Sequence, residues 1–211
     1  GKPMIEHVYR RAEQTIFLSA VLVATDDLRI KTAVEDFGGQ AVMTSANHQP
    51  GTDRLVEAMG SLDLDQQDIV VNIQGDEPLL EPKMVDELVK PLLHDQSLVM
   101  STLKHRIHEA EELNNPNVVK VVTDLNGFAL FFSRSPIPYN RTGSEVIYYK
   151  HVGLYAYRKA FLLKYASMER TLLETAESLE QLRALENGYR IKVVETKYQT
   201  IGVDSQADLD R

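Results

Sequence analysis

Apolar residues follow two alternating patterns along the first half of the chain. Short apolar runs typical of strands alternate with segments in which apolar residues recur at helical spacing. The strand-like runs are 20–25, 40–44 and 69–73, and the helical segments are 3–14, 28–39, 52–62 and 82–95. Gly38 and Gly39 close one of these helices, as a C-cap should. This alternation at short spacing predicts a mostly parallel, doubly wound α/β sheet of the Rossmann-like kind.

The second half of the chain has more strand-like pattern. Two apolar runs within 118–133 flank Asn126 and Gly127, a dipeptide typical of hairpin turns. The remaining predicted elements are a strand at 148–158, helices at 159–166 and 174–187, and a strand at 190–195. We interpret 1–211 as a single domain in which roughly residues 118–158 form a small β-rich subdomain.

Composition limits the classes of partner. The chain has 211 residues, 43% of them hydrophobic, which is enough to bury a sizeable core. Its net charge of −8 argues against nucleic acid as a partner. Its longest apolar stretches, of about five residues, are far shorter than the roughly 20 residues that span a bilayer. The absence of cysteine excludes disulfides and thiolate zinc sites and fits a cytoplasmic location.

Two carboxylates come directly after strand-like runs. Asp76 follows 69–73 in the stretch IVVNIQGDEP, and Asp204 follows the apolar residues of IGVDS. Ligands of open α/β sheets bind outside the carboxyl ends of the strands, and Mg²⁺ prefers one or two carboxylates with phosphate oxygens. The two residues are therefore candidate ligands of one Mg²⁺ ion. The alternative is that each carboxylate only starts a following helix.

Two further segments carry groups suited to anions. In the loop NHQPGTDR (47–54), the backbone N–H groups of Gly51 and Thr52 are expected to face an anion or a base edge, with Arg54 on the first helical turn. Thr52 is equally consistent with a simple N-cap. Arg134 follows an apolar run and precedes two prolines. Its guanidinium suits a carboxylate or phosphate, and the alternative is a solvated surface arginine.

A strand face and a helix complete the set of candidates. Alternation along the 148–158 strand places His151, Gly153, Tyr155 and Tyr157 on one face. Such a face suits a sugar pocket, although two tyrosines on a strand more often belong to the core.

The last predicted helix has an apolar stripe of Leu179, Leu182 and Leu185. Glu180 and Gln181 fall outside this stripe, so the pattern alone predicts that they lie on a solvated helix face.

These segments are more specific together than any one of them alone. The motifs VATDD, GTDR, VNIQGDEP, NPNVVKVV, FSRSPIP, KHVGLYAYR, LEQLRALENG and GVD occur in this order. In order and separation the sequence resembles, from Gly1 to Arg211, the 3-deoxy-manno-octulosonate cytidylyltransferases, also called CMP-Kdo synthetases. The resemblance implies a nucleotidyltransferase fold and the Mg²⁺-dependent conversion of CTP and the acid sugar Kdo into CMP-Kdo and pyrophosphate. It also implies a role in lipopolysaccharide biosynthesis and a homodimer.

The resemblance also implies roles for individual residues. Asp76 and Asp204 match the catalytic Mg²⁺ ligands of the family. The positions that match those around the cytidine nucleotide are Gly51, Thr52, Arg54 and Gln74. The positions that match those lining the Kdo pocket are Arg134, His151, Tyr155, Glu180 and Gln181.

The start of the chain departs from the family pattern. The family opens with a strand and a glycine- and arginine-containing loop that holds the CTP phosphates, whereas this chain begins with GKPMIEHV, which matches the segment after that loop. A chain that began at Gly1 would lack the first strand and the main phosphate cradle, so we expect it to be inactive and to fold poorly. Two alternatives stay open: a cytidylyltransferase for another acid sugar, such as sialic acid or an amino-substituted Kdo, and a non-catalytic nucleotide-binding protein without the phosphate loop.

Overall fold

The structure, a computed structural model, describes residues 1–48, 51–199 and 202–203. Its helices are α1 (Met4–Ala12), α2 (Leu28–Asp36), α3 (Gly51–Met59), α4 (Pro82–His94), α5 (Ala110–Asn114), α6 (Lys159–Ala166), α7 (Leu172–Glu177) and α8 (Gln181–Glu186). Its strands are β1 (Val23–Thr25), β2 (Ala41–Met43), β3 (Ile69–Asn72), β4 (Met100–Arg106), β5 (Lys120–Thr123), β6 (Ala129–Ser133), β7 (Tyr149–Arg158) and β8 (Lys192–Glu195). No helix in these described segments is long and apolar enough to cross a membrane.

The strands form a mixed sheet in which most strands share one direction. β1 and β2 pair in parallel as a two-stranded sheet, while the other described strands form a sheet in the order β6-β5-β7-β4-β8, with β3 also on β7. β7 is antiparallel to β3, β4 and β5, and β4 is parallel to β8, so β3, β4, β5 and β8 all run the same way. The predicted α/β class with a mostly parallel strand direction is confirmed, with the long β7 inserted against that direction. The expectation that the chain lacks the first strand of the family's sheet stays a prediction.

The predicted β-rich segment belongs to the same sheet. β5 and β6 form a hairpin whose turn contains Gly127 at a φ of 75°. β5 also pairs with β7, through Lys120 and Lys150. Phe128, just before β6, bridges Lys192 of β8 at the other end of the strand order. The bridge brings the two ends of the strand order, β6 and β8, close together, so the sheet is curved there.

Helices cover both faces of the large sheet. Five buried apolar residues of α4 pack with Leu103 of β4 and the even-numbered side chains Val152, Leu154 and Ala156 of β7. The opposite face packs against α3, α6 and α8, with Tyr157, Phe161 and Tyr165 among its buried residues. Because side chains alternate along β7, the odd-numbered ones, from His151 to Tyr157, lie on this second face.

The sequence pattern missed three features beyond α4. Neither β4 nor α5 was predicted. The β4 sequence, MSTLKHR, mixes polar and apolar residues on a strand that is covered on both faces, so it shows no strand pattern. The single helix predicted over 174–187 is wrong: α7 ends at Glu177, and Ser178 has a φ of 51° before α8 begins. A left-handed residue at this position turns the chain and separates the two short helices.

Candidate functional site

The ends of β3 and the middle of β7 lie side by side. Asn72 pairs with Tyr155, and Gln74 follows two residues after Asn72. A Cβ atom added to Gly153 would lie 3.2 Å from Nε2 of Gln74, so the Gln74 amide rests against the bare backbone of β7. The glycine in KHVGLYAYR thus gives the Gln74 side chain room beside His151 and Tyr155.

His151 and Tyr155 occupy the same face of β7. The His151 ring lies edge-on to Phe132 with centroids 5.1 Å apart and is 5.3 Å from the Tyr155 ring. Burial lowers the pKa of His151 to about 3, so its imidazole is neutral at physiological pH. Burial, together with the charge of Glu180, raises the pKa of the Tyr155 phenol. Both side chains therefore act as neutral hydrogen-bonding groups, as a sugar pocket requires.

Thr52 and Glu180 connect the predicted nucleotide residues with the predicted sugar residues. Oγ1 of Thr52 donates to Oε1 of Glu180 at 2.6 Å, between residues 128 positions apart in the sequence. Burial raises the pKa of the Glu180 carboxyl, and the hydrogen bond from Thr52 acts in the opposite direction. The Tyr165 hydroxyl donates to the Glu180 backbone carbonyl at 2.6 Å. The site is thus continuous from α3 to the start of α8.

A buried ion pair supports this start of α8. Arg183 donates to both carboxylate oxygens of Glu174, at 2.8 and 2.5 Å, and lies 3.5 Å from a carboxylate oxygen of Glu180. Gln181 is only 4% exposed, so the solvated face that the pattern predicted is wrong for this residue. Its amide nitrogen has no hydrogen-bond partner in the part of the chain that the structure describes. A buried donor of this kind is costly unless a ligand satisfies it.

Arg134 is held against backbone carbonyls. Its guanidinium donates to the carbonyl oxygens of Glu177 at 2.6 Å, Pro116 at 2.9 Å and Ser178 at 3.3 Å. The Glu177 carboxylate accepts from the hydroxyl of Ser133 and from the backbone N–H of Arg134. Three of the five guanidinium N–H groups are therefore used in the fold, and two remain for a ligand.

The residues at the start of α3 face the end of the small sheet. Gly51 is the first residue of α3, so its N–H belongs to the free N-terminal turn. Arg54 donates to Oγ1 of Thr44 at 2.6 Å and to a carboxylate oxygen of Asp26 at 3.1 Å. Arg54 thereby ties α3 to the exits of β1 and β2. Asp27, not Asp26, is the N-cap of α2, where it accepts from the backbone N–H of Arg29.

The two predicted metal ligands differ in how much the structure says of them. Asp76 is half-buried just beyond β3, and its backbone carbonyl accepts a hydrogen bond from the Val203 N–H at 2.9 Å. Asp204 lies outside the described residues. Within the described ranges, no group of three or more His, Asp or Glu residues is arranged to hold a metal. Mg²⁺ does not need such a group, because phosphate oxygens and water complete its coordination.

Sequence reasoning missed several residues that shape the site. Thr102 on β4 contacts His151, and Tyr165 and Arg183 position Glu180. Lys120 is fully buried and donates to two backbone carbonyls beside Arg134 and Glu177. Thr102 and Tyr165 contact residues of other elements. Arg183 and Lys120 act on residues nearby in the sequence, but only the fold buries them. No local pattern therefore distinguishes these residues from ordinary core or surface residues.

Comparison with known proteins matches the whole chain. The family model for cytidylyltransferases matches residues 1–192. The 3-deoxy-manno-octulosonate cytidylyltransferase of Geotalea uraniireducens (strain Rf4) is 55% identical over 222 aligned positions, which cover 100% of this chain and 87% of that protein. That of Syntrophus aciditrophicus (strain SB) is 54% identical over 212 positions, covering 100% of this chain and 86% of that protein.

A solved structure extends the match to the fold. The CMP:2-keto-3-deoxy-manno-octonic acid synthetase complexed with CTP superposes with a TM-score of 0.94 at 47% identity, covering 100% of this chain and 86% of that one. The match therefore includes every described residue of the site.

Proposed function

The chain belongs to the cytidylyltransferase family, and from this membership we propose that it converts CTP and Kdo into CMP-Kdo and pyrophosphate. The observation that carries the proposal is the 55% identity, over the whole chain, to an enzyme named for this sugar. The hydrogen bond from Thr52 to Glu180 supports it, because it joins the residues assigned to the two substrates. The product carries an activated Kdo, the form needed for lipopolysaccharide biosynthesis.

The reaction is an in-line displacement at phosphorus. The anomeric hydroxyl oxygen of Kdo forms a bond to the α-phosphorus of CTP, the bond from that phosphorus to the bridging oxygen breaks, and pyrophosphate leaves with the electron pair. The hydroxyl proton is released. Because no covalent protein intermediate forms, the protein contributes mainly by positioning and by electrostatic stabilisation.

We assign the nucleotide to the side of the site formed by α3 and the end of β3. The N–H of Gly51 and the side chains of Thr52 and Gln74 would bind the nucleotide. Arg54 would keep α3 in place beside the nucleotide through its ion pair with Asp26.

We assign the sugar acid to the face of β7 and the start of α8. Its hydroxyl groups would hydrogen-bond to the neutral side chains of His151 and Tyr155 and to the Glu180 carboxyl group. The buried amide nitrogen of Gln181 and the two remaining N–H groups of Arg134 would donate to its oxygens. The division comes from the resemblance to the family, and the hydrogen bond from Thr52 to Glu180 supports placing the two groups in one site.

Asp76 and Asp204 would hold Mg²⁺. The fit rests on carboxylate chemistry and on the hydrogen bond from the Val203 N–H to the Asp76 carbonyl, which brings the residue before Asp204 beside Asp76. When bound, Mg²⁺ supplies positive charge that reduces the repulsion between a sugar carboxylate and a triphosphate. The protein's own contribution is to bring both anions to one place at the carboxyl end of β3.

We also propose a homodimer and a cytoplasmic location. Four exposed apolar residues lie in the β-rich segment: Leu125, Leu130, Tyr139 and Ile147. Leu130 lies on β6, the edge strand of the large sheet. Burial of these side chains between two copies of the chain would remove them from water. The cytoplasmic location follows from the use of CTP.

Exchange of a single carboxylate tests the proposed function. In the full-length gene product, Asp76→Asn is expected to lower the rate of Mg²⁺-dependent pyrophosphate release by about 10²-fold or more. Asp63→Asn makes the same chemical change at an exposed carboxylate outside the site and is the matched control. Undiminished release in the Asp76 variant would remove this residue from the metal site.

A further inference from the structure

A bulge in β7 brings one buried hydroxyl against three groups. Thr102 of β4 pairs with Tyr155, and the next β4 residue, Leu103, pairs with Val152, so Gly153 and Leu154 lie opposite no residue of β4. Thr102 is fully buried. Its Oγ1 lies 2.8 Å from the Leu154 carbonyl oxygen, 3.2 Å from the Val152 carbonyl oxygen and 2.8 Å from Nε2 of His151.

The single proton of this hydroxyl must go to a carbonyl. A hydroxyl has one proton to donate and two lone pairs that accept, whereas a carbonyl oxygen only accepts. If the Thr102 proton pointed at His151, neither the Leu154 nor the Val152 carbonyl would receive it. A hydroxyl oxygen and a carbonyl oxygen 2.8 Å apart repel each other unless a proton lies between them, whereas an imidazole N–H can supply the proton of its own contact. The shorter of the two carbonyl contacts, to Leu154, is therefore the one that receives the proton.

The imidazole must then be the donor in its contact with Thr102. Burial lowers the pKa of His151 to about 3, so the ring carries one proton and not two. A proton on Nε2 donates to a lone pair of the Thr102 oxygen and leaves Nδ1 with a lone pair. Within the described segments, Nδ1 has no hydrogen-bond partner, and Phe132 and Tyr155 hold the plane of the ring.

We infer that Thr102 is a positioning residue that holds His151 as its Nε2-protonated tautomer, so that Nδ1 accepts a hydrogen bond from a hydroxyl group of the sugar acid. The assignment of His151 to the sugar acid rests on the proposed function, whereas the tautomer follows from the contacts of Thr102 and from the neutral ring. The bulge in β7 thereby sets the hydrogen-bonding direction of a pocket residue: His151 accepts from the ligand and does not donate to it.

Nuclear magnetic resonance of the free protein tests the tautomer without substrate. The ¹⁵N chemical shifts of an imidazole distinguish the protonated nitrogen from the bare one, and loss of a signal set in His151→Gln assigns the ring. At neutral pH we expect Nε2 to be protonated and Nδ1 bare. A proton on Nδ1, or an even mixture of the two tautomers, would overturn the inference.

Two substitutions of Thr102 test the consequence for substrate. Thr102→Val removes the hydroxyl at similar volume, and Thr102→Ser keeps it. We expect the valine variant to raise the apparent KM for Kdo about fivefold to tenfold, the effect of one misplaced hydrogen bond, with little change in the KM for CTP. The serine variant should restore the KM for Kdo and the wild-type ¹⁵N shifts.

The outcomes separate this inference from the proposed function. An unchanged KM for Kdo and unchanged shifts in Thr102→Val would refute the role of Thr102. If that variant does not fold, the wild-type shifts and the serine variant still decide. Nε2 protonation without turnover of any sugar acid would instead contradict the proposed function alone.

Discussion

The contact between Gln74 and Gly153 gives a prediction in which affinity and stability change in opposite directions. In Gly153→Ala the new Cβ would lie 3.2 Å from Nε2 of Gln74, which requires the amide to move by a few tenths of an ångström. Gly153 lies in a strand, where alanine is favoured over glycine by about 0.5–1 kcal/mol. The folded state should therefore be as stable as the wild type or slightly more stable.

The cost appears in substrate binding. A typical hydrogen bond contributes about 0.5–1.5 kcal/mol, so partial or full loss of the Gln74 contact with the nucleotide corresponds to roughly a twofold to tenfold rise in the KM for CTP. Steady-state pyrophosphate release measures the KM, and thermal unfolding measures the stability. A KM for CTP that stays at the wild-type value would refute the reasoning.

A double-mutant cycle supplies the control. Gln74→Ala removes the amide that the new methyl group would displace, so Gly153→Ala should have no further effect in that background. An equal rise in the KM for CTP in both backgrounds would show that the methyl group acts through the backbone of β7 and not through Gln74.

Three further predictions follow from the charges in and around the site. Arg183→Met leaves the buried Glu174 carboxylate unpaired and should lower the free energy of unfolding by about 3–5 kcal/mol, measured by urea denaturation. Between pH 7 and 5 the unfolded chain takes up a proton at residue 151 that the folded chain, with its pKa of about 3, does not, so stability should fall by about 2 kcal/mol, and His151→Gln should lose this part of the pH dependence. Arg134→Ala should raise the KM for Kdo more than that for CTP, and equal effects would indicate that this guanidinium serves the fold alone.

The α/β alternation of the first half was predictable because each element carries its own pattern. Leu28–Asp36 and Pro82–His94 are amphipathic helices with clear boundaries, Asp27 as N-cap for one and proline at the first position of the other. β4 was not predictable, because it lies between β7 and β8 and is covered on both sides. Its polar residues Ser101 and Thr102 are buried only because the fold supplies acceptors for their hydroxyl groups.

Some residues of the candidate site could also be predicted from the sequence, and others could not. Asp76 could be singled out because it follows an apolar strand directly, and Gly153 because it leaves a gap in the period-two pattern of its strand. Glu180 and Gln181 could not, because the helix pattern places them on a solvated face. Their placement depends on the left-handed turn at Ser178, and Glu180 is also held by its contacts with Thr52 and Tyr165. These contacts join segments that a sequence pattern does not relate.

The substrate pair is the central claim, and pyrophosphate release tests it most directly. The chain as its gene encodes it would be assayed with CTP and Mg²⁺ and with Kdo, amino-substituted Kdo or sialic acid in parallel. We predict release that depends on Kdo, with kcat/KM at least about tenfold above the other sugars and CMP-Kdo formed in equal amount. Preference for sialic acid or the amino sugar, or no release with any of them, would contradict the account.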